Sequence, residues 1–557
     1  MIREKKITLL VVICIVFIFE LHAQPKFPPE KPKLVVGIIV DGFKADYIQR
    51  YWEKYSENGF KKIINSGTHF QNHVNKQLIN ESIVCYANIS TGSYASSHGI
   101  IDTEYFDRLT ENMVHCSYSE KQKSLNNENT RQKYNSIQML ASALSDELKY
   151  TTNKQSKIVS IAMDAPAASI MAGHKSGIAL WMDYSSGKWT SSAYFNDSLP
   201  KWLDAFNQKN LADIYLNKQW TSLLSLEKYT ESLADNDEYE RGFGRFHKEF
   251  PYDLSKISLG KDKYAILNET PFGISFSKDL AIQAIIEENM GKDEIPDLLY
   301  LSITSGEGIS ARFHPLSVET EDFFLRLDQE IAHLITFIES EIGIENTLIF
   351  LTGTHGMALP PEYMAKQGFD VDYFDPSKII GILTSYLKAI YGKGDWIQYY
   401  NHQQMYLNRE LIRKSGFSLG DFQQSITDFL VQVSGISQAV GSLSLENGSA
   451  TGEYFRNLQN SYHQKRSADI FINLSPGWVE RPYFKDEQRM YAHNSSYMYN
   501  AHIPLIWYGW KIKRKKINSL SQPIDIAPTI ANFLMLSQPN ASQGTPLNDI
   551  ILQEKPK

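Results

Sequence analysis

Two near-continuous apolar runs stand out along the chain, Leu34-Val-Val-Gly-Ile-Ile-Val40 and Leu348-Ile-Phe-Leu-Thr-Gly-Thr354. Each is followed by a polar residue and a glycine, Asp41-Gly42 and His355-Gly356. Runs of this length without polar alternation predict strands buried on both faces, as in a parallel sheet. Lys157 to Met163, Asp297 to Thr304 and His502 to Tyr508 have the same character. Between them the period lengthens. Helices are expected over about 46–66, from Ser82 toward Ser90, over 136–148 and 318–342, and from Asp525, where Pro528 suits a first turn. Strands alternating with helices predict an α/β fold, a mostly parallel sheet with helices on both faces. Residues 185–270, rich in Trp and Tyr without clear period, are expected to form a cap. Residues 385–465 are expected to form an inserted module, and 466–557 to complete a core begun at 24–384. Repeats of fixed period are absent from the sequence.

Composition changes this picture in two places. The amino terminus carries Arg3, Lys5 and Lys6, a 13-residue apolar run from Ile7 to Phe19, and then Glu20-Leu-His-Ala23. This is the form of a secretory signal peptide cleaved after Ala23, which implies a periplasmic or secreted protein. Cys14 lies inside the apolar run, a poor setting for a lipoprotein modification site. Removing the net +1 of residues 1–23 takes the formal charge from −7 to −8, so an acidic chain without a basic stripe excludes nucleic acid as a partner class. Cys85 and Cys116 would remain, either as a disulfide in an oxidising compartment or as two buried thiols.

In an open α/β sheet, ligands gather beyond the carboxyl ends of the strands. Strand-end Asp41, Ser82 at a helix start, Glu307, His355 and His502 would set carboxylates and imidazoles around a hydroxyl, the equipment of metal-assisted phosphate ester hydrolysis. Zinc takes such Asp/His sets. Plainer roles compete. Ser82 could be a helix cap stabilising by about 1 kcal/mol, and Asp41 could cap a strand-to-helix turn. His98 and His174, in glycine loops, suit turn hydrogen bonding, and the aromatics of 185–270 suit packing.

The runs around Asp41, Thr91-Gly-Ser with His98-Gly-Ile, Ala172-Gly-His174, Phe350-Leu-Thr-Gly-Thr-His355-Gly, Lys465-Arg-Ser-Ala-Asp469, His502-Ile-Pro-Leu and Asp525-Ile-Ala-Pro-Thr529 resemble, in this order, the alkaline phosphatase superfamily. The similarity covers almost the whole mature chain and is nearest to the monomeric secreted bacterial alkaline phosphatases and the nucleotide pyrophosphatase/phosphodiesterases. The resemblance implies Ser82 as nucleophile and Asp41 and His355 as ligands of one metal, with Thr354 where the family has Asp. It implies Glu307, Ala311 and His502 where the other metal site has Asp, His and His. His314 is a possible replacement for the imidazole absent at Ala311. At the phosphate-holding positions the chain has Thr103 for Asn, and Asp164-Ala-Pro166 for Lys-x-Arg, a local change of −3 in charge. Each unit charge near 4 Å is worth roughly 4 kcal/mol at an effective dielectric of 20, so phosphate monoester binding would weaken severely. Diesterase relatives also lack that Lys/Arg pair. A sulfatase is disfavoured because Ser82-Ile-Val-Cys-Tyr86 lacks the Cys/Ser-x-Pro-x-Arg pattern.

Two functions follow from the resemblance. One is an exported protein with an incomplete two-metal site, weak or inactive as a phosphoesterase and acting as an envelope binding or scaffolding protein. The other is a phosphodiesterase or phosphatase using Ser82 with a single or rearranged metal site. Zinc at a single or sub-stoichiometric site and a phosphate ester ligand are the cofactor and partner implied.

Overall fold

Strand Leu34–Val40 is buried at every position because it lies at the middle of a nine-stranded sheet. The computed structural model describes residues 30–122, 125, 133–243, 247–448, 452–481 and 493–551, and at 305–307 the backbone only. The expected signal peptide lies outside the described residues. Asp297–Ile303 and Thr347–Gly353 flank the central strand in parallel, with Val40 opposite Ile303 on one side and Gly353 on the other. That register brings Asp41, Thr304 and Thr354 to one edge. The order continues outward through Ile158–Ala162, Ile178–Asp183 and Lys188–Thr190 on one side, and Leu505–Gly509, Thr68–Phe70 and Lys515–Ile517 on the other. The Leu505–Gly509 strand runs antiparallel to Thr347–Gly353. The chain therefore enters it from the same edge.

Alternate side chains of the central strand feed two cores. Leu34, Val36, Ile38 and Val40 join one cluster, and Val35 and Ile39 the other. Each fully buried aliphatic side chain contributes about 1.5–3 kcal/mol, so both helical layers are held firmly to the sheet. Gly37 breaks the aliphatic run for a packing reason: a Cβ there would lie 2.5 Å from the Phe350 ring and 2.8 Å from Tyr300.

The helix expected over 46–66 is two helices, Ala45–Arg50 and Phe60–Ser66. Asp328, on the long helix Val318–Glu341, causes the break by accepting the amides of Ser56 (2.7 Å) and Phe60 (2.6 Å). Gly59 is required beneath it, since a Cβ would meet Asp328 Oδ1 at 2.0 Å. The helix expected over 136–148 starts at Leu144, where Asp146 Oδ2 accepts the Ala143 amide at 2.8 Å. The polar stretch 305–308 after the Asp297–Ile303 strand is the first turn of helix Ser305–Phe313.

The 185–270 segment shares the main core, with Trp189, Trp220 and Tyr252 buried in the same cluster as the sheet residues. A second sheet orders Ile397–Asn401, Gln404–Leu407, Ile470–Leu474 and Ile436–Gly441. It has its own core with helices Pro376–Tyr391 and Leu419–Leu430, so this module extends beyond 385–465 at both ends. No helix among the described residues is long and apolar enough to cross a membrane. Cys85 and Cys116 are both buried and are not joined in a disulfide.

Candidate functional site

Beyond the sheet edge, helix Ser82–Thr91 points its first residue at His355. Glu81 takes the cap position, so the Ser82 hydroxyl is not spent on capping and lies 3.1 Å from His355 Nε2. The other ring nitrogen, Nδ1, donates to the Gly356 carbonyl at 3.0 Å. That bond leaves the Nε2 lone pair toward the hydroxyl, the pairing of a nucleophile with a base. One turn along the helix, Tyr86 donates its hydroxyl to Asp41 Oδ1 at 2.8 Å. Burial and the Asp41 carboxylate hold the phenol far above its ordinary range, with Asp164 adding to the effect. Thr354 is 1% exposed, and its Oγ1 has no hydrogen-bond partner among the described residues.

A second layer surrounds Glu81. His493 stacks on His355, with ring centroids 4.3 Å apart, and its Nε2 lies 3.2 Å from Glu81 Oε1. Asn494 donates to the same oxygen at 2.6 Å. From the module, the tight turn between Ile397–Asn401 and Gln404–Leu407 carries His402 at φ 42° and Gln403 at φ 63°. Two consecutive left-handed residues make the hairpin turn that suits strand twist, though it usually falls to Asn and Gly. His402 Nδ1 reaches both oxygens of Asp102 at 3.0 Å and Glu81 Oε1 at 3.3 Å. Asp102 also accepts from the Thr103 amide (2.7 Å), Asn401 Nδ2 (3.2 Å) and Gln404 Nε2 (3.2 Å). Burial raises the Asp102 pKa, while His402 and the Thr103 amide favour its carboxylate. Burial opposes charge on His402, but Asp102 and Glu81 raise its pKa well above the ordinary value, so it is an imidazolium.

Glu480, 1% exposed, accepts the Tyr400 hydroxyl at 3.0 Å, while its Oε2 has no partner among the described residues. Burial pushes its pKa up to about 7. A raised folded pKa means the native state keeps a proton that the unfolded chain releases near pH 4.5. Stability is therefore lost as pH rises through 7, by about 3 kcal/mol for a shift of this size. Glu480→Gln is expected to raise the urea midpoint at pH 8 and to leave it unchanged at pH 4, as unfolding titrations at the two pH values will read.

Of the residues singled out in the sequence, Asp41, Ser82 and His355 come together here. Thr103 lies at the rim, giving its amide to Asp102. Helix Ser305–Phe313 carries Glu307, whose side chain lies outside the described set, and Ala311, which offers no donor atom. His502 goes elsewhere: its Nε2 bonds the Gln71 carbonyl at 2.9 Å. The histidine beside His355 is His493, nine residues earlier in the same lead-in to the antiparallel strand. Asp102, His402 and Glu480 were also missed. Their only sequence signal was an acid after the His98-Gly loop, at Asp102. His98 and His174 are hydrogen-bonded turn residues. His98 receives the Ile100 amide at 3.0 Å, and His174 bridges Asp146 (2.8 Å) and the Met139 carbonyl (2.9 Å).

Two groups among the described residues could hold a metal ion, Glu81/Asp102/His402 and Asp237/Glu240/His314, and neither includes Asp41 or His355. Thr354 at the strand edge and Ala311 on helix Ser305–Phe313 stand where the resemblance implies a carboxylate and an imidazole, and His502 Nε2 bonds the Gln71 carbonyl. Among the described side chains, which leave out that of Glu307, no carboxylate stands at 354 and no imidazole at 311.

The profile of the type I phosphodiesterase / nucleotide pyrophosphatase family matches residues 35–498. A Myroides odoratus protein named calcium-transporting ATPase is 32% identical over 551 residues, spanning 98% of this chain and 100% of that one. Alkaline phosphatase PafA of Elizabethkingia meningoseptica is 31% identical, spanning 95% of this chain and 96% of its own. The crystal structure of wild-type PafA superposes with a TM-score of 0.87 at 29% identity, over 95% of this chain and 100% of that chain. Murine ectonucleotide pyrophosphatase / phosphodiesterase 5 shares the fold, with a TM-score of 0.53 at 12% identity over 93% of this chain and 100% of that chain.

Proposed function

Because this chain belongs to the type I phosphodiesterase / nucleotide pyrophosphatase family, within the alkaline phosphatase superfamily, and has Thr354 and Ala311 where the resemblance implies metal ligands, we propose that it is an exported ligand-binding or scaffolding protein of the envelope. On this reading it does not run two-metal phosphoester hydrolysis. The observation that supports this most is the strand edge itself. Thr354 buries a hydroxyl without a partner among the described residues, beside His355, and the Ala311 side chain offers nothing to a cation. The ligand class follows from charge. Asp41, Asp164, Glu81 and Asp102 outnumber the one buried imidazolium, so a phosphate dianion is repelled. A phosphodiester, with one negative charge, is the phosphate ester the pocket disfavours least.

A second reading is phosphodiester hydrolysis from Ser82. It draws on the 3.1 Å contact with His355, which could take the hydroxyl proton at Nε2 as Oγ attacks phosphorus and one ester oxygen leaves as its alkoxide or phenolate, water then cleaving the phosphoseryl bond. The same experiment separates the two. Zinc is quantified in the purified mature chain, and turnover of bis(nitrophenyl) phosphate is compared with Ser82→Ala. Binding without catalysis requires well under one zinc per chain and equal, background-level rates. Stoichiometric zinc with Ser82-dependent turnover would overturn it. Ser82-dependent turnover without metal selects the second reading.

A further inference from the structure

The acidic total of the chain conceals one short basic strip. Between Glu487 and Asp525 the sequence has no Asp or Glu, and Lys511-Ile-Lys513-Arg514-Lys515-Lys516 puts five cations in six residues. Strand Lys515–Ile517 is the outermost of the nine-stranded sheet, paired in parallel with Thr68–Phe70 and with nothing beyond it among the described residues. Ile517 packs into the core, whereas Arg514, Lys515 and Lys516 are exposed and Lys513 is half-buried. The Lys515 amide donates to the Gly67 carbonyl at 3.0 Å and the Ile517 carbonyl accepts the Gln71 amide at 2.8 Å, so the Lys516 backbone between them faces outward. Nearby surface lysines are answered by acids: Lys61 by Glu57 at 2.9 Å, Lys62 by Glu339 at 2.7 Å and Lys511 by Glu30 at 2.9 Å. Lys513, Arg514, Lys515 and Lys516 have no ion-pair partner among the described residues. In the loop that leaves the strand, Leu520 is 48% exposed.

A lysine on an edge strand discourages another chain from pairing with it. Four successive cations exceed that need, and they repel one another on a molecule whose acids lie elsewhere. An added peptide strand is a poor occupant. The edge strand is three residues long, and cations project from it in place of the pockets that give strand addition its specificity. A flat array of phosphate-bearing headgroups matches the strip in charge, because each Lys or Arg near an anionic membrane gains attraction within a Debye length of it. Leu520 adds an apolar side chain able to enter the headgroup layer beside the cations.

We infer that the basic edge at residues 513–516 docks the protein on the anionic surface of a membrane. The strip lies four strands from Leu34–Val40, about 19 Å at the usual strand spacing, so the edge carrying Asp41 and His355 stays open while it is docked. The inference rests on the reading of the chain as exported to the envelope and is independent of what Ser82 does.

The mature chain is sedimented with vesicles of mixed phosphatidylglycerol and phosphatidylcholine, and with vesicles of phosphatidylcholine alone, at low and high salt. Both lipids are phosphodiesters, so capture by the Ser82 pocket would show with both. Docking by charge shows only with phosphatidylglycerol and fades as salt rises. Arg514→Gln/Lys515→Gln/Lys516→Gln should weaken binding about a hundredfold, at about fivefold for each cation removed. Lys201→Gln/Lys209→Gln/Lys218→Gln removes the same charge from exposed positions in the 185–270 segment and should leave binding unchanged, as should Ser82→Ala. The inference is overturned if the first triple variant binds as the wild type does, if both triple variants lose binding equally, or if the two kinds of vesicle bind alike. Unchanged vesicle binding together with new self-association of the Arg514 variant in light scattering would also overturn it, and would assign the strip to protection of the edge. Zinc content and nitrophenyl ester turnover report on the Ser82 site separately, so failure of either reading leaves the other to be judged on its own data.

Discussion

His402→Ala is expected to destabilise the protein by about 3–5 kcal/mol at pH 7, the usual consequence of removing one partner from a buried ion pair. The imidazolium sits 3.0 Å from both oxygens of Asp102 and 3.3 Å from Glu81, and all three side chains are buried. Without it, two carboxylates remain out of water with amide and imidazole hydrogen bonds but no full countercharge. Asp102→Asn should cost less, because His402 keeps Glu81 and the asparagine keeps the hydrogen bonds its oxygen accepts. The double variant His402→Ala/Asp102→Asn should be more stable than His402→Ala alone, a coupling that equilibrium urea unfolding of the four proteins can resolve. A loss below about 1 kcal/mol in His402→Ala would mean that the three groups do not form an ion pair in the folded protein. The hairpin geometry makes the test sharper. His402 and Gln403 are both held at positive φ, a conformation that costs of order 1–3 kcal/mol per residue and persists where the surroundings compensate it. Replacement of His402 removes the compensation and keeps the strain, since alanine tolerates the left-handed region no better than histidine does.

What the sequence revealed depended on whether a residue's neighbours carried a period. Strands buried on both faces have no alternative to continuous apolar runs, so Leu34–Val40, Asp297–Ile303 and Thr347–Gly353 were legible to within a residue or two, and with them the edge where Asp41 and His355 end up. Ser82 was legible as a hydroxyl at a helix start. Its freedom from capping was not, because the cap went to Glu81, a residue type rarely used there. The helix break at Tyr51–Gly59 comes from Asp328, almost 270 positions away, and no local pattern announces it. His402, Asp102 and Glu480 meet at a junction between the main sheet and the second one, so their association is tertiary. His502 drew attention because it adjoins an apolar strand, whereas His493 sits in a polar stretch with nothing periodic beside it. The antiparallel direction of Leu505–Gly509 is what settles the matter. The whole segment before that strand lies along the sheet edge, and which of its two histidines turns inward is decided by side-chain direction.

Installing donors at two positions, Thr354→Asp with Ala311→His, is expected to tighten zinc binding well beyond that of the wild-type chain. If four ligands share about 10–16 kcal/mol of zinc affinity, each restored donor returns roughly 3 kcal/mol, or about a hundredfold in Kd. The two sites differ in readiness. Position 354 is buried at the strand end next to His355, so an aspartate there would face Asp41 across the edge. Without a metal, that extra buried charge should lower the thermal midpoint; with zinc, the midpoint should rise above that of the wild type, because an ion that binds only the folded state stabilises it by mass action. Position 311 is half-buried on the wall of a shallow pocket shared with Ala358 and Pro360, where an imidazole can be accommodated without displacing core. Thr354→Asn supplies the shape without the charge and should gain neither zinc nor the zinc-dependent midpoint. Competition against a chromogenic chelator gives the affinities, and thermal unfolding with and without zinc gives the linkage. Should Thr354→Asp with Ala311→His bind zinc no better than Thr354→Asn, absent donors would not be what limits the site. The commitment of His493 to Glu81 and of Asp41 to Tyr86 would then be the barrier, and Tyr86→Phe, which removes the Tyr86 hydrogen bond to Asp41 Oδ1, becomes the decisive second substitution.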